Sequence, residues 1–403
     1  MRGLSTIEAA AVEACAEAPM LDQVLRWSAI NSGTRNLDGL AAVGAMLAEE
    51  FGLLPGDPML REPADVQAID ADGRLRDVEH GFNLHLKVRP EAPVQLLFTG
   101  HMDTVYGADH PFQDMVWREA GVLNGPGVAD MKGGLAVMLA ALAAVERSPA
   151  AGRLGYEVVI NSDEEVGSPG SAPLLAAAAR GKRAALTYEP AALPDGTLAG
   201  ARPGSGNFSI FVQGRSAHAG RNPEEGRNAL LAAADLALRL AAAKRPGLSV
   251  NPARIDGGGP NNVVPDRALL RVNMRPATAE DQALAQAALD AAIAAVAAEH
   301  EVAIHLHGGF ARPPKPIDPA AERLFELVRR CGEDLGQSIS WRASGGVCDG
   351  NNIAACGVPV VDTMGVRGGA IHSAEEYLIV DSLVERAQLS ALTILRLALG
   401  ENP

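Results

Sequence analysis

The chain has 403 residues, 47% of them hydrophobic and 21% charged, with a mean hydropathy of +0.05. This length exceeds the usual size of one domain, and the composition can build a real core, which excludes extensive disorder. The formal net charge of −14 and the sequence pI of about 5.1 argue against nucleic acid or an anionic membrane as partner, because phosphates would be repelled, and favour a small-molecule substrate.

Features that would direct the chain out of the cytoplasm are missing from the pattern. The N-terminal segment has no signal-peptide core, and no apolar run approaches the roughly 18–20 residues of a membrane span. The four cysteines form no CxxC pair, which is typical of free thiols in a reducing compartment. We therefore expect a cytoplasmic protein.

The first half of the chain alternates between helical and strand patterns. Residues 5–50 show alanine and leucine at helical spacing, interrupted at Asn31–Thr34. Strands are then predicted at 94–99, 156–161 and 184–188, with helices at 132–146 and near 171–180. This order is typical of an α/β fold with a largely parallel, covered sheet.

The pattern changes near residue 201. The segment ARPGSG is followed by a strand, a helix at about 226–243, two strands, a long alanine-rich helix and the strand VAIHLH, which indicates a smaller α+β unit with its own sheet. The proline-rich segment 311–319 predicts a linker, after which α/β alternation resumes with a helix at 320–332 and a strand at 358–362. We predict one catalytic domain in two parts, 1–201 and 312–403, interrupted by an inserted domain at 202–311.

Polar side chains lie at five predicted strand or helix ends, Asp130 at the amino end of the helix 132–146 and the others after strands, where ligands of open α/β sheets bind. They are His101, Asp130, Glu164, Glu165, Glu189 and His372. Imidazoles and carboxylates are zinc ligands, and two ions about 3.5–4 Å apart can share a bridging carboxylate in hydrolases. Without cations such a dense group of carboxylates would repel, so the set predicts a metal centre.

The adjacent pair Glu164 and Glu165 ends a buried strand in NSDEEVGS. A Glu-Glu pair in an acidic protein can simply be solvated. In extended backbone, however, neighbouring side chains point to opposite sides, so both cannot bind one ion in the same way. The pattern thus favours one glutamate as ligand and the other as the general base.

Six segments in this order resemble the M20 metallopeptidases, which include glutamate carboxypeptidase, acetylornithine deacetylase and succinyl-diaminopimelate desuccinylase. They are GHMDTV, GPGVADMKGG, NSDEEVGS, YEP, GRSAHAG and GGAIHS, and they cover nearly the whole chain. The resemblance implies a zinc-exopeptidase-like α/β catalytic domain with a mixed, mostly parallel sheet, interrupted by an inserted α+β dimerisation or lid domain. It also implies a homodimer formed through that domain.

The resemblance further implies two zinc ions per subunit, with Co²⁺ or Mn²⁺ as possible substitutes. One ion would be held by His101, Asp130 and Glu189, and the other by Asp130, Glu165 and His372, with Asp130 bridging. Glu164 would be the general base, and Asp103 would orient His101. The Asp130–Met131 peptide bond is expected to be cis.

The residues expected to contact substrate come from the same resemblance. His218 would reach across the dimer to the scissile carbonyl, although by itself it reads as a surface histidine in a turn. Asn262 and Arg275 would bind a terminal carboxylate, for which a guanidinium offers two parallel donors, but Arg275 alone could be a plain surface charge. Gly346 belongs to a glycine-rich substrate loop in which Cys348 replaces the usual Ser or Thr, so thiol sensitivity is expected.

The function predicted from these features is hydrolysis of the amide bond of an N-acyl amino acid or dipeptide with a free carboxylate, as in glutamate carboxypeptidase. The alternative within the class is an N-deacylase of the acetylornithine deacetylase or desuccinylase type. A remote alternative is a non-catalytic binding protein on the same fold. The acyl group, the amino acid and the physiological metal are left open by the sequence.

Overall fold

Alternating helices and strands build the larger part of the molecule in the computed structural model, which describes residues 3–401. The helices are α1 (Thr6–Ala16), α2 (Met20–Ser28), α3 (Leu37–Phe51), α4 (Gly133–Glu146), α5 (Ala172–Ala179), α6 (Ala229–Ala242), α7 (Ala279–Glu299), α8 (Pro319–Asp334), α9 (Asp349–Ala355) and α10 (Ser382–Leu399). The outermost residues of the predicted catalytic parts, 1–2 and 402–403, lie outside the described residues.

The strands fall into two larger sheets and several small ones. They are β1 (Met59–Arg61), β2 (Gln67–Ile69), β3 (Leu75–Asp77), β4 (Asn83–Val88), β5 (Val94–His101), β6 (Val116–Glu119), β7 (Val122–Asn124), β8 (Leu154–Asn161), β9 (Ala184–Thr187), β10 (Leu198–Ala199), β11 (Ser205–Gln213), β12 (Leu248–Gly257), β13 (Arg267–Pro276), β14 (Ala303–Arg312), β15 (Trp341–Arg342), β16 (Val360–Val361), β17 (Gly368–Gly369) and β18 (Tyr377–Ile379).

The central sheet has the order β1-β4-β8-β5-β9-β16. The pairs β8–β5, β5–β9 and β9–β16 are parallel, whereas β1–β4 and β4–β8 are antiparallel. Helices including α4 and α10 cover one face, and α5 and α9 cover the other. Burial on both faces explains the continuous apolar runs of β5 and β8, and the mixed, mostly parallel sheet predicted from the sequence is confirmed.

Helix α4 is the central helix of this layer. The stretch Val128–Glu146 is long and apolar enough to cross a membrane, contrary to the expectation that no run approaches that length. In the fold, nearly all of this stretch is buried by other elements, so it is a core helix. It packs closely on the end of β9, because a Cβ at Gly134 would lie 2.0 Å from the carbonyl oxygen of Tyr188.

The second large sheet is built from residues between Ser205 and Arg312 and has the order β12-β13-β11-β14, with antiparallel pairs throughout. Helices α6 and α7 cover one face and form a separate apolar core with the sheet. We call this α+β unit the lid. On its other face, Phe211 and Leu269 pack against Ile69 of the β2–β3 hairpin.

The proline-rich segment predicted as a linker has a different character. Arg312 and Lys315 within it are buried, and the backbone of Lys315 pairs with that of Arg202. Burial of these charges is compensated by ion pairs, because Arg312 faces Glu164 and Asp349, and Lys315 lies 3.0 Å from Asp362. The segment is therefore a packed crossover between the lid and α8.

Candidate metal centre

The imidazole and carboxylate groups predicted as ligands meet at one edge of the central sheet. His101 ends β5, Asp130 precedes α4, Glu164 and Glu165 follow β8, Glu189 follows β9, and His372 lies between β17 and β18. Because β5, β8 and β9 run parallel, their carboxyl ends open on the same side. His372 is brought to this edge by the small sheet β17-β18-β7-β6, whose strand β7 precedes Asp130.

Asp130 occupies the middle of the cluster. Its Oδ1 lies 3.2 Å from His101 Nε2, and its Oδ2 lies 3.3 Å from His372 Nε2. Glu189 Oε2 is 3.8 Å from His101 Nε2, while Glu165 Oε2 is 3.1 Å from His372 Nε2. These contacts join His101 to Asp130 and Glu189, which we call the first triad, and His372 to Asp130 and Glu165, the second triad. Donor atoms of His101, Asp130 and Glu165 also lie within 4.8 Å of one another, so the two triads adjoin at Asp130. The Asp130–Met131 bond is cis, as predicted.

Burial disfavours the ionised form of the carboxyl groups in the cluster. It raises the pKa of Glu164 and Glu165 to about 8, with additional repulsion from Glu189 and Asp130 respectively. It also raises the pKa of Glu189 to about 7, against the opposing attraction of His101. For Asp130, burial opposes ionisation, but hydrogen bonds with His101 and His372 hold its pKa below the ordinary value.

The donor set fits two divalent cations. Each triad offers one imidazole and two carboxylates, all groups that zinc accepts as ligands, and three protein ligands leave a position open for water. Dications would also neutralise the carboxylates that burial and mutual repulsion destabilise in their charged form. The residues present therefore support a dinuclear centre, whereas their chemistry alone leaves the choice of metal open.

Asp103 connects the two sides of the cluster. Its Oδ1 lies 3.4 Å from His101 Nδ1 and accepts a hydrogen bond from Glu164 N–H at 3.2 Å. Its Oδ2 accepts from Glu165 N–H at 3.2 Å and from Thr34 Oγ1 at 2.7 Å. The predicted orienting group for His101 thus also anchors the turn that carries both glutamates.

The two glutamates diverge as predicted, but for a different reason. They occupy a short 3₁₀ turn instead of extended backbone. Glu165 faces His372, whereas Glu164 Oε1 lies 2.7 Å from Arg312 Nη2. Glu164 also comes within 4.8 Å of donor atoms of His101 and Glu189, so it borders the first triad.

Two cavities meet beside the glutamates. The larger has a volume of about 640 Å³ and is lined by groups such as Glu189, Arg202 and Cys348. The smaller, about 460 Å³, is lined by polar groups of the lid, including Asn273 and Arg275. Their shared lining is Glu164, Glu165, Gly346, Val347, Ile371 and His372. A substrate spanning both cavities would cross the metal centre between them.

The predicted substrate residues separate into two groups. Arg275 lines the smaller cavity and donates from Nη1 to the carbonyl of Gly345 at 3.0 Å, next to Gly346. Among residues 3–401, His218 and Asn262 contribute to neither cavity. They lie together in an exposed part of the lid, where Ala219 N–H donates to the carbonyl of Asn262 at 2.9 Å.

Cys348 lines the larger cavity but is only 2% exposed. Burial raises the pKa of its thiol well above the ordinary value, which keeps it neutral. A neutral, buried thiol is a poor nucleophile, so the structure argues against the thiol sensitivity expected from the sequence.

The sequence pattern did not single out several residues of the site. Arg312 lies in a segment whose prolines predicted an exposed linker. The one local signal is its position directly before Pro313, where β14 ends. Tyr106 and Glu376 stand close to the ligands, within GHMDTVY and HSAEEY. Only tertiary contacts show what they touch.

The chain belongs to peptidase family M20/M25/M40, because the sequence model of that family matches residues 97–396. It is thus a hydrolase of a family that acts on linear amides. The chain is 29% identical to carboxypeptidase G2 of Pseudomonas sp. (strain RS-16) over 92% of this chain and 88% of that protein. It is 27% identical to succinyl-diaminopimelate desuccinylase of Pseudomonas syringae pv. tomato (strain ATCC BAA-871 / DC3000), over 80% and 87%.

The fold is similar to the crystal structure of a tripeptidase from Staphylococcus aureus subsp. aureus Mu50. The TM-score is 0.73 at 24% identity, with 94% of this chain and 98% of that chain covered. At this identity the similarity shows the fold, which is that of an M20 peptidase with its lid.

Removal of metal should make the stability of the protein depend on pH. A carboxyl group whose pKa is higher in the folded than in the unfolded state stabilises the fold at low pH, and this contribution is lost as pH rises. For Glu164 and Glu165 the loss runs from their ordinary value of 4.5 to about 8. The raised pKa of His372, about 11, acts in the same direction above 6.5. The pKa of Asp130 is lowered, so its stabilising contribution is complete above 3.8 and does not change between pH 6 and pH 8.

We therefore expect the increase in Tm on adding zinc to chelator-treated protein to be larger near pH 8 than near pH 6. Thermal unfolding with and without zinc at both pH values measures this difference. An equal increase in Tm at the two pH values would contradict the electrostatic account of the cluster.

Proposed function

We propose that the protein is a di-zinc hydrolase that cleaves the amide bond of an N-acyl amino acid or dipeptide with a free carboxylate. The observation that carries this proposal is the position of Arg275, on the wall of the smaller cavity that also contains Glu164 and Glu165. A carboxylate bound there would lie on one side of the metal centre, with room for the acyl group in the larger cavity.

The guanidinium of Arg275 is held in place from both parts of the molecule. Its Nε donates to Asn273 Oδ1 at 3.0 Å within the lid, and its Nη1 donates to the Gly345 carbonyl of the catalytic part. Asn273 Nδ2 in turn donates to Asn207 Oδ1 at 2.8 Å. A fixed, planar donor group is suited to recognise a carboxylate, because less side-chain freedom is lost on binding.

Glu164 is the proposed general base. When bound, the two metal ions would supply an acidified water and electrostatic stabilisation of the developing oxyanion. Glu164 borders the first triad, its carboxyl pKa is raised to about 8, and it could take a proton from that water and return it to the leaving amine. Arg312 beside it would favour the ionised base and hold its orientation.

An N-deacylase of the acetylornithine deacetylase or desuccinylase type is the second candidate. The desuccinylase relatives favour it, as does Arg202 on the wall of the larger cavity, where a polar acyl group could bind. Arg202 is already paired with Asp362, with Nε–Oδ2 at 2.8 Å and Nη2–Oδ1 at 3.1 Å. We therefore prefer the carboxypeptidase-like function. A non-catalytic binding protein has no support, since both triads and Glu164 are present.

We also propose a homodimer formed through the lid. Helix α6 exposes Leu231 and Leu238, which are 61% and 72% accessible, and β12 is one of the two outer strands of the lid sheet in the described chain. An open strand edge beside exposed leucines is a surface that a second copy could cover. Such an arrangement would let His218 and Asn262 of one copy complete the site of the other.

Replacement of the base tests the mechanism. We expect Glu164→Gln to lower kcat by about 10²–10⁴-fold while zinc content and Tm stay close to wild type, because the amide keeps the shape but loses the basic oxygen. Steady-state hydrolysis of an N-acyl amino acid, with metal analysis of the same sample, measures both effects. Unchanged turnover would exclude Glu164 as the base.

Removal of the guanidinium tests the substrate class. We expect Arg275→Ala to reduce kcat/KM for N-acyl amino acids by about 10–100-fold, because a charge-assisted pair with the carboxylate is lost. The same substrates with the carboxylate converted to a carboxamide should be hydrolysed slowly by both enzymes, with little difference between them. Arg271→Ala, an exposed arginine on the same strand, is the matched control.

The substrates in this measurement should vary the acyl group and the amino acid independently. Rates that follow the amino acid support the carboxypeptidase-like function, and rates that follow the acyl group support the deacylase. Equal losses on acid and carboxamide substrates would show that Arg275 does not bind the carboxylate.

Mixing two inactive variants tests the dimer. A mixed dimer of Glu164→Gln and His218→Ala has one site with both Glu164 and the partner's His218. Random pairing makes roughly half of the dimers mixed with one intact site in each, so the mixture should recover about a quarter of the wild-type rate. His305→Ala, which removes another exposed histidine of the lid, should stay active by itself. A mixture no more active than its components would contradict a site shared between copies.

A further inference from the structure

Glu376 is a buried carboxylate four residues after His372. Only 1% of the residue is exposed, and within residues 3–401 it contributes to neither cavity of the site. Its Oε1 accepts hydrogen bonds from the backbone N–H groups of Ala129 and Asp130, both at 3.0 Å. Its side chain thus contacts the backbone of the residue that both triads share.

The second oxygen of Glu376 reaches a different ligand segment. Tyr106 Oη lies 2.9 Å from Glu376 Oε2 and 2.8 Å from the carbonyl oxygen of Ser373, the residue after His372. Tyr106 follows His101 by five residues, and its ring packs edge-on against Phe112 at a centroid distance of 5.0 Å. One carboxylate and one phenol therefore join the segments that carry His101, Asp130 and His372.

The backbone of Glu376 adds a further connection. Its carbonyl oxygen accepts from Asn124 Nδ2 at 2.5 Å and from Gly125 N–H at 3.3 Å, at the end of the strand that leads to Asp130. Its N–H donates to the Ser373 carbonyl at 3.0 Å. The Asp130 segment is thus held by both the side chain and the main chain of the His372 segment.

Asp130 needs such a constraint more than any other ligand. Its two oxygens must face two different triads. A small rotation of its backbone would move Oδ1 away from His101 and Oδ2 away from His372. Buried N–H groups also need partners, and Glu376 supplies one acceptor oxygen for two consecutive ones. Groups behind metal ligands commonly set metal affinity by fixing the orientation of those ligands.

We propose that Glu376, with Tyr106, is a positioning residue that sets the orientation of the Asp130 carboxylate and couples it to His372. This inference rests on the proposed dinuclear centre and goes beyond the ligands and base of the proposed function. Glu376 acts through Asp130 and contacts neither substrate nor the attacking water.

The test compares Glu376→Gln, Glu376→Ala and Tyr106→Phe in the full chain. Glutamine keeps an oxygen for both N–H groups, whereas alanine leaves them without that acceptor. We expect Glu376→Ala to weaken zinc binding by about 10–100-fold in a chelator competition and to change the visible absorption of the Co²⁺-substituted protein. Glu376→Gln should stay within a few-fold of wild type, and Tyr106→Phe should lie between the two. In Glu376→Ala saturated with metal, kcat should fall while KM changes little.

The neighbouring Glu375→Ala is the matched control, because Glu375 is exposed and its carboxylate pairs with Arg118 at the surface. Wild-type zinc affinity and Co²⁺ absorption in folded Glu376→Ala would overturn the proposal, as would a glutamine variant that is as impaired as alanine. If alanine prevents folding, an unchanged Co²⁺ spectrum in Tyr106→Phe overturns it instead.

The metal readouts need no substrate, which separates the two proposals. A wild-type protein that binds two ions but hydrolyses no N-acyl amino acid would refute the proposed function and leave this inference standing. Full hydrolysis together with unchanged metal binding in Glu376→Ala would refute this inference alone.

Discussion

The structure depends on one constraint: the carboxylate of Asp130 must present its two oxygens to two separate triads from a buried position. Parallel strands β5 and β9 bring His101 and Glu189 to the same edge of the sheet. The apolar helix α4 carries Asp130 there, and it can approach β9 because Gly134 has no side chain to clash with Tyr188. The small sheet with β7 and β18 then holds His372 on the opposite side. Packing and metal geometry are therefore set by the same contacts.

The charge distribution follows from this arrangement. Four carboxylates converge in a region where burial penalises their ionised forms. The fold places the guanidinium of Arg312 against Glu164, and it places Arg202 and Lys315 around the buried Asp362. Arg202 and Arg312 belong to the cavity walls, where they offset part of the negative charge, and both are already paired with carboxylates of the protein.

A hydrophobic run followed by His, Asp or Glu predicts both a strand and its end, so the sequence predicted which polar groups gather in the cluster. His101, Glu165 and Glu189 were identified as members in this way, and the change in pattern near residue 201 predicted a separate α+β unit. Arg312 and Lys315 could not be found, since proline predicts an exposed linker and only the tertiary fold shows that the segment is buried. Tyr106 and Glu376 matter through contacts over 246 to 270 residues of sequence, for which no local pattern exists.

Residues of the lid and of the catalytic part together line the site, and they meet where Arg275 contacts Gly345. Arg275 and Asn273 come from the lid sheet, whereas the metal ligands and the Gly345–Gly346 loop come from the catalytic part. On the far face of the lid, the β2–β3 hairpin packs Ile69 against Phe211 and pairs Asp72 with Arg267 at 3.1 Å. The lid is thus fixed on two sides, by the Gly345–Gly346 loop and by the hairpin. A change in either contact would alter the distance between Arg275 and the metal-binding cluster, and with it the width of the space between them.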